Sequence, residues 1–101
     1  MVARHRKNRF IDPFQPVEIR RLVQEFGSPL LIVDCERVRV QMRKLRKALP
    51  GVDLHYALKP LPHPAVVQTV IDEGAWLDLA TTGEVELGSR LGISAGRCIH
   101  T

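Results

Sequence analysis

Lys59 lies within HYALKPLPHP, residues 55–64, where Tyr56, Ala57, Leu58 and Pro60 make its neighbourhood apolar. Apolar surroundings favour an uncharged amine, the nucleophile of Schiff-base chemistry. Taken alone, a lysine in such a place is far more often a solvated charge. A second stretch, WLDLATTGEVEL over residues 76–87, holds Asp78 and Glu84. Asp78 interrupts an apolar run, and a carboxylate there is costly unless something pairs with it. Lys59 or a bound cation would serve. Thr81 and Glu84 have the spacing of a capping box, which can account for Glu84 without any chemistry. His55, His63, His100, Cys35 and Cys98 show no metal-ligand spacing, so no metal site is expected.

The elements that must position these residues are readable from periodicity and breakers. Residues 52–58 alternate, with Leu54, Tyr56 and Leu58 on one side and Asp53, His55 and Ala57 on the other, which predicts a strand. Lys59 then stands at the strand's C-terminal end, where parallel α/β folds place their chemistry. A helix follows from about Pro64 to Glu73 with Gly74 as its stop. A strand over 75–80 carries Asp78 late in its run, toward the same rim. A helix from about Thr82 to Leu91 ends at Gly92, and residues 97–100 start another strand. Upstream, Pro16–Phe26 suits a helix stopped by Gly27, with Ile19, Leu22, Val23 and Phe26 on one face. Residues 30–33 (LLIV) read as a buried strand, and Asp34 as the cap of a helix over 35–48 striped by Val38, Met42, Leu45 and Leu49. Residues 1–15 show no periodicity and read as a mobile or loosely docked arm.

From residue 52 the order is β-α-β-α-β with short loops, so the fold class is α/β with parallel strands. A doubly wound sheet and a (β/α)8 barrel both begin this way. A complete barrel needs about 250 residues, so the 101 residues read as a piece of a longer protein or a truncated product.

Composition narrows the class further. Hydrophobic residues make up 45% and charged residues 26%, as in an ordinary globular protein. No apolar run approaches the roughly 18 residues of a membrane span, and no secretory signal is present, so a cytoplasmic location is expected. Residues 1–50 hold 12 Lys/Arg against 5 Asp/Glu, while residues 51–101 hold 3 against 6. The excess sits in Arg4, Arg6, Lys7 and Arg9, and in Arg37, Arg39, Arg43, Lys44, Arg46 and Lys47. Such a field attracts nucleic acid. A solvated surface is the better reading, because no nucleic-acid-binding signature or interleaved aromatic accompanies it.

Taken together, a strand, YALK, a Pro-led helix and LDLATTGEVEL resemble the fold-type III PLP-dependent decarboxylases. These are the ornithine and diaminopimelate decarboxylases, with alanine racemase as a distant relative. The resemblance runs from about Gly27 to Thr101 and includes SPLLIVD, HPAVVQTVIDEGA and LGISAGRCIHT. The 19-residue step from Lys59 to Asp78 and the 6-residue step to Glu84 look like the ornithine decarboxylase pattern.

The resemblance implies the start of a (β/α)8, TIM-type barrel over residues 52–101. It implies that the strand within residues 27–51 joins a separate β-domain, and that residues 1–26 form an N-terminal arm and helix. Lys59 would carry pyridoxal 5'-phosphate, Asp78 would lie beside it, Glu84 would share that acidic neighbourhood, and Ala57 would pack near the cofactor ring. The implied activity is decarboxylation of a basic amino acid by a homodimer, with ornithine, giving putrescine, as the first choice. Diaminopimelate or lysine decarboxylation and an alanine racemase-like reaction are the alternatives within enzymes. A non-catalytic regulatory homologue and a basic nucleic-acid-binding module are those outside them. Pro60-Leu61 departs from the small residue and Asn usual after the lysine, and the TTG at 81–83 departs from a Ser-Lys-like pair. These departures leave the substrate open. The isolated 101 residues are expected to be inactive and to fold poorly alone.

Overall fold

The computed structural model describes residues 12–101, and the basic head around Arg4–Arg9 lies outside them. The chain divides into two compact units, one ending at Asp34 and one beginning at Cys35.

In the first unit, most of the expected arm over 1–15 lies outside the described residues, and its last part forms a turn at residues 13–15. The Asp12 carboxylate accepts from the Phe14 N–H at 2.9 Å, the local bond by which aspartate initiates turns. Helix α1, Pro16–Phe26, begins on its proline and stops at Gly27, whose φ of 81° ends the helix. The expected strand at residues 30–33 does not form. Leu30 and Ile32 are half-buried while Leu31 and Val33 are exposed, the two-residue alternation of an extended chain. A strand also needs a neighbouring backbone to bond with, and no ladder involving these residues occurs among the described residues.

The second unit opens with α2, Cys35–Ala48. It then alternates β1 (His55–Ala57), α3 (Pro64–Asp72), β2 (Trp76–Leu79), α4 (Thr82–Arg90) and β3 (Cys98–His100), with a 3-10 turn at Ala95–Arg97 before β3. The strands pair in parallel in the order β1-β2-β3. Each strand is shorter at its start than its apolar pattern suggested.

One face of this sheet is covered. Leu77 and Leu79 of β2 pack with Leu58, with Val67 and Val70 of α3, and with Leu87 of α4. Val38 and Met42 of α2 pack against the same core, so the helix expected to link two domains is part of this unit. On the opposite face His55, Ala57 and Ile99 are exposed, and Trp76 and Asp78 are half-buried. Consecutive parallel strands with their helices on one face are the beginning of a (β/α)8 barrel, whose interior is the open face here.

Gly74 and Gly92 close α3 and α4 in the same way, with φ of 85° and 82°. After α3, the Gly74 N–H bonds to the Ile71 carbonyl and the Ala75 N–H to the Val70 carbonyl, both at 2.9 Å. After α4, Gly92 bonds to Ser89 at 3.0 Å and Ile93 to Gly88 at 3.2 Å. Both are Schellman endings, which need a left-handed residue at that point; the first leads directly into β2, the second into the 3-10 turn that precedes β3.

The basic face of α2 is solvent-exposed, as expected, except for half-buried Arg39, and three of its arginines also engage Glu73. Arg43 makes two bonds to the Glu73 carboxylate at 3.0 and 2.9 Å. Arg39 approaches the same carboxylate at 3.2 Å, and Arg46 donates to the Glu73 carbonyl. These cations, Arg43 first through its hydrogen bond, hold the Glu73 carboxyl below the usual glutamate range. A lowered folded-state value adds stability above the unfolded value and loses it as pH falls through the folded one. Glu73→Gln is therefore expected to lower the unfolding midpoint at neutral pH. The gap from the parent should close as pH drops below the ordinary glutamate range and as salt rises. A gap that persists unchanged in acid would contradict this role.

Candidate active site

The turn that presents Lys59 is fixed on both sides of it. Leu58 is fully buried in the core, and its N–H bonds to the Asp78 carbonyl at 3.4 Å. The Leu61 N–H returns to the Leu58 carbonyl at 3.0 Å. The Tyr56 hydroxyl, on the covered face, donates to the Leu61 carbonyl at 2.8 Å. His63 caps α3, its Nδ1 accepting from the Ala65 N–H at 3.1 Å, so this histidine is committed to structure.

Lys59 is exposed, and no hydrogen bond or ion pair to it forms among the described residues. The desolvation expected from its apolar sequence neighbours is not supplied here. Leu58 and Tyr56 pack into the core on the covered face, whereas Ala57 faces the open one and Lys59 follows in an exposed turn.

Asp78 faces the same side, in register with Ala57. Its partner is not Lys59: Asp78 Oδ1 accepts from the Thr101 hydroxyl at 2.7 Å. Thr101 is a partner of Asp78 that the sequence reading did not single out. Its signal was a hydroxyl one residue beyond the predicted strand, at the rim already carrying Lys59 and Asp78. Oδ2 of Asp78 has no hydrogen-bond partner among the described residues.

Glu84 is buried, and its carboxylate is turned to the backbone. Oε2 accepts from the Thr81 N–H at 3.1 Å and also from the Ala80 N–H, while Thr81 Oγ1 accepts from the Glu84 N–H at 3.2 Å. The capping box is complete, and it shapes the rim just after β2 instead of reaching Lys59. Thr81→Ala should cost about 1 kcal/mol in urea unfolding. An unchanged midpoint would show that the cap is dispensable.

At the other end of the open face His55 and Trp76 form an edge-to-face pair, with centroids 5.3 Å apart. Both cysteines are free thiols. No cluster of three or more His, Cys, Asp or Glu residues that could hold a metal ion occurs among the described residues. No helix among them is long and apolar enough to cross a membrane.

The arrangement is that of a parallel α/β protein with an amine at the C-terminal end of one strand and a carboxylate late in the next. Exposed Ala57, opposite Asp78 in the register, adds only a methyl group to this part of the open face. An accessible amine suits an aldehyde cofactor, and an adjacent carboxylate suits a cationic ring, so these residues fit pyridoxal phosphate.

The comparisons with known proteins agree with this class. Residues 35–101 match the family of the pyridoxal-dependent decarboxylases, pyridoxal binding domain, and the chain belongs to that family. It is 35% identical over 83 residues to a diaminopimelate decarboxylase of Actinosynnema pretiosum subsp. auranticum, covering 82% of this chain and 19% of that protein. Among solved structures, it resembles a lysine/ornithine decarboxylase from Vibrio vulnificus complexed with cadaverine. There the TM-score is 0.77 and the identity 58%, over 81% of this chain and 22% of that one. A lysine decarboxylase from Selenomonas ruminantium gives a TM-score of 0.80 at 26% identity, over 85% of this chain and 23% of that one. The chain thus spans about a fifth of the length of these relatives.

Proposed function

We propose that these residues are the cofactor-bearing part of a pyridoxal-phosphate-dependent decarboxylase acting on ornithine and lysine. The observation that carries this reading is an exposed Lys59 in the turn just after β1, with Asp78 on the adjacent strand in register with Ala57, the last residue of β1. When bound, pyridoxal phosphate supplies an electron sink for the pair left behind by departing CO2. Lys59 Nζ supplies the amine that holds it. Asp78, steadied at Oδ1 by Thr101, presents Oδ2 to positive charge at the rim. Ala57 adds only a methyl group to the open face, and Glu84 shapes the edge through its cap.

The choice of substrate rests on the Vibrio vulnificus enzyme, at 58% identity. Its structures hold cadaverine and putrescine, the amines formed from lysine and ornithine. The 35% identity to a diaminopimelate decarboxylase favours the second reading, in which the substrate carries a distal carboxylate as well. CO2 release from each amino acid separates the two. The protein that carries these residues should turn over ornithine and lysine and leave diaminopimelate nearly untouched. A preference for diaminopimelate would overturn the substrate assignment while leaving the cofactor assignment in place. The enzyme is proposed to work as a homodimer in the cytoplasm, and the isolated 101 residues to give no turnover.

A further inference from the structure

We propose that Tyr56 is a positioning residue for Lys59, acting through its hydroxyl on the Leu61 carbonyl. This inference rests on Lys59 being the cofactor-bearing lysine. The Lys59–Pro62 segment is poor in backbone donors, because Pro60 and Pro62 have none. The Leu61 N–H is already committed to the Leu58 carbonyl at 3.0 Å. The Tyr56 hydroxyl, 2.8 Å from the Leu61 carbonyl, is the side-chain tether of this segment among the described residues.

The tyrosine ring sits against the buried core, whereas Lys59 is exposed in the turn that follows β1. A bond from the core-packed ring to the residue two beyond Lys59 ties that turn to the core and limits the directions its amine can take. Fixing an amine relative to its reaction partner is what converts contact into rate. Burial pushes the Tyr56 phenol above its ordinary range, so the hydroxyl keeps its proton, and its capacity to donate, throughout the working pH range.

Tyr56→Phe removes the hydroxyl and keeps the ring. The test compares the parent and this variant in the protein that carries these residues. Two readouts are taken: amide hydrogen exchange at Leu61, and the rate of borohydride trapping of saturating pyridoxal phosphate on Lys59. Exchange should rise and trapping should slow, each by roughly fivefold, the scale of one net hydrogen bond. The unfolding transition should stay cooperative, and the pH dependence of the bound cofactor's absorbance should change. Unchanged exchange and trapping would overturn the proposal. A variant that fails to fold would do the same, since the hydroxyl would then serve stability alone. A parent protein that does not label at Lys59 would remove the cofactor reading itself. That failure is told apart because it occurs with Tyr56 intact.

Discussion

Lys59→Arg should abolish decarboxylation, with a loss on the order of a thousandfold or more in kcat, the scale seen when a covalent catalyst is removed. Arginine keeps the charge and much of the length but offers no amine that can be uncharged near neutral pH. The fold should be indifferent to the change. Lys59 is exposed and makes no hydrogen bond or ion pair among the described residues, so nothing in this unit depends on its side chain. Circular dichroism and the unfolding midpoint should match the parent while steady-state turnover of ornithine and lysine disappears. Residual activity within tenfold of the parent would show that the amine of Lys59 is not essential to the chemistry.

The largest effect on stability is expected at Leu77. Its side chain is fully buried and lies at the meeting point of both helices with the central strand of the three. Its Cδ1 stands only 3.3 Å from where a Cβ on Gly88 would sit, so α4 approaches β2 too closely for the surroundings to fill a void easily. Leu77→Ala should therefore cost about 2–5 kcal/mol, toward the upper end if the cavity stays open. That is a large part of the stability of a typical domain. Urea unfolding should show a lower midpoint at constant m. A loss below about 1 kcal/mol would mean that the core collapses onto the site and that the packing here is softer than it looks. The tightness at Gly88 also explains why a glycine is tolerated inside a helix, where it ordinarily costs about 1 kcal/mol relative to alanine.

What was legible in the sequence was whatever local chemistry determines. Pro16 and Gly27 bracket α1 on the residues expected, and α2 runs over 35–48 as expected, but of its stripe only Val38 and Met42 are half-buried while Leu45 and Leu49 are exposed. The Thr81–Glu84 spacing gave the capping box, and Gly74 and Gly92 gave the helix stops. The alternation over 52–58 identified the covered and open faces of β1, although the strand itself runs only over His55–Ala57. Strand limits are set by where a neighbour's backbone begins and ends, which apolar patterning does not encode. Residues 30–33 make the same point, being apolar and alternately half-buried yet without a ladder among the described residues.

The site was half legible. Parallel pairing sets Asp78 beside Ala57, and Lys59 follows in the turn two residues later. Their partners were hidden, since pairing across elements depends on register. Leu79 opposite His100 brings Thr101 to Asp78, and α2 against α3 brings Arg39 and Arg43 to Glu73. The apolar residues beside Lys59 were a misleading guide to its surroundings. Leu58 is buried in the core while Lys59 sits in the exposed turn after it, so Leu58 says little about the amine next to it.

The most direct measurement is reduction with borohydride after incubation of the protein with pyridoxal phosphate, followed by peptide mass mapping. The account requires a phosphopyridoxyl group on Lys59 and its disappearance in Lys59→Arg. A well-folded protein labelled at another lysine, or at none, would contradict it.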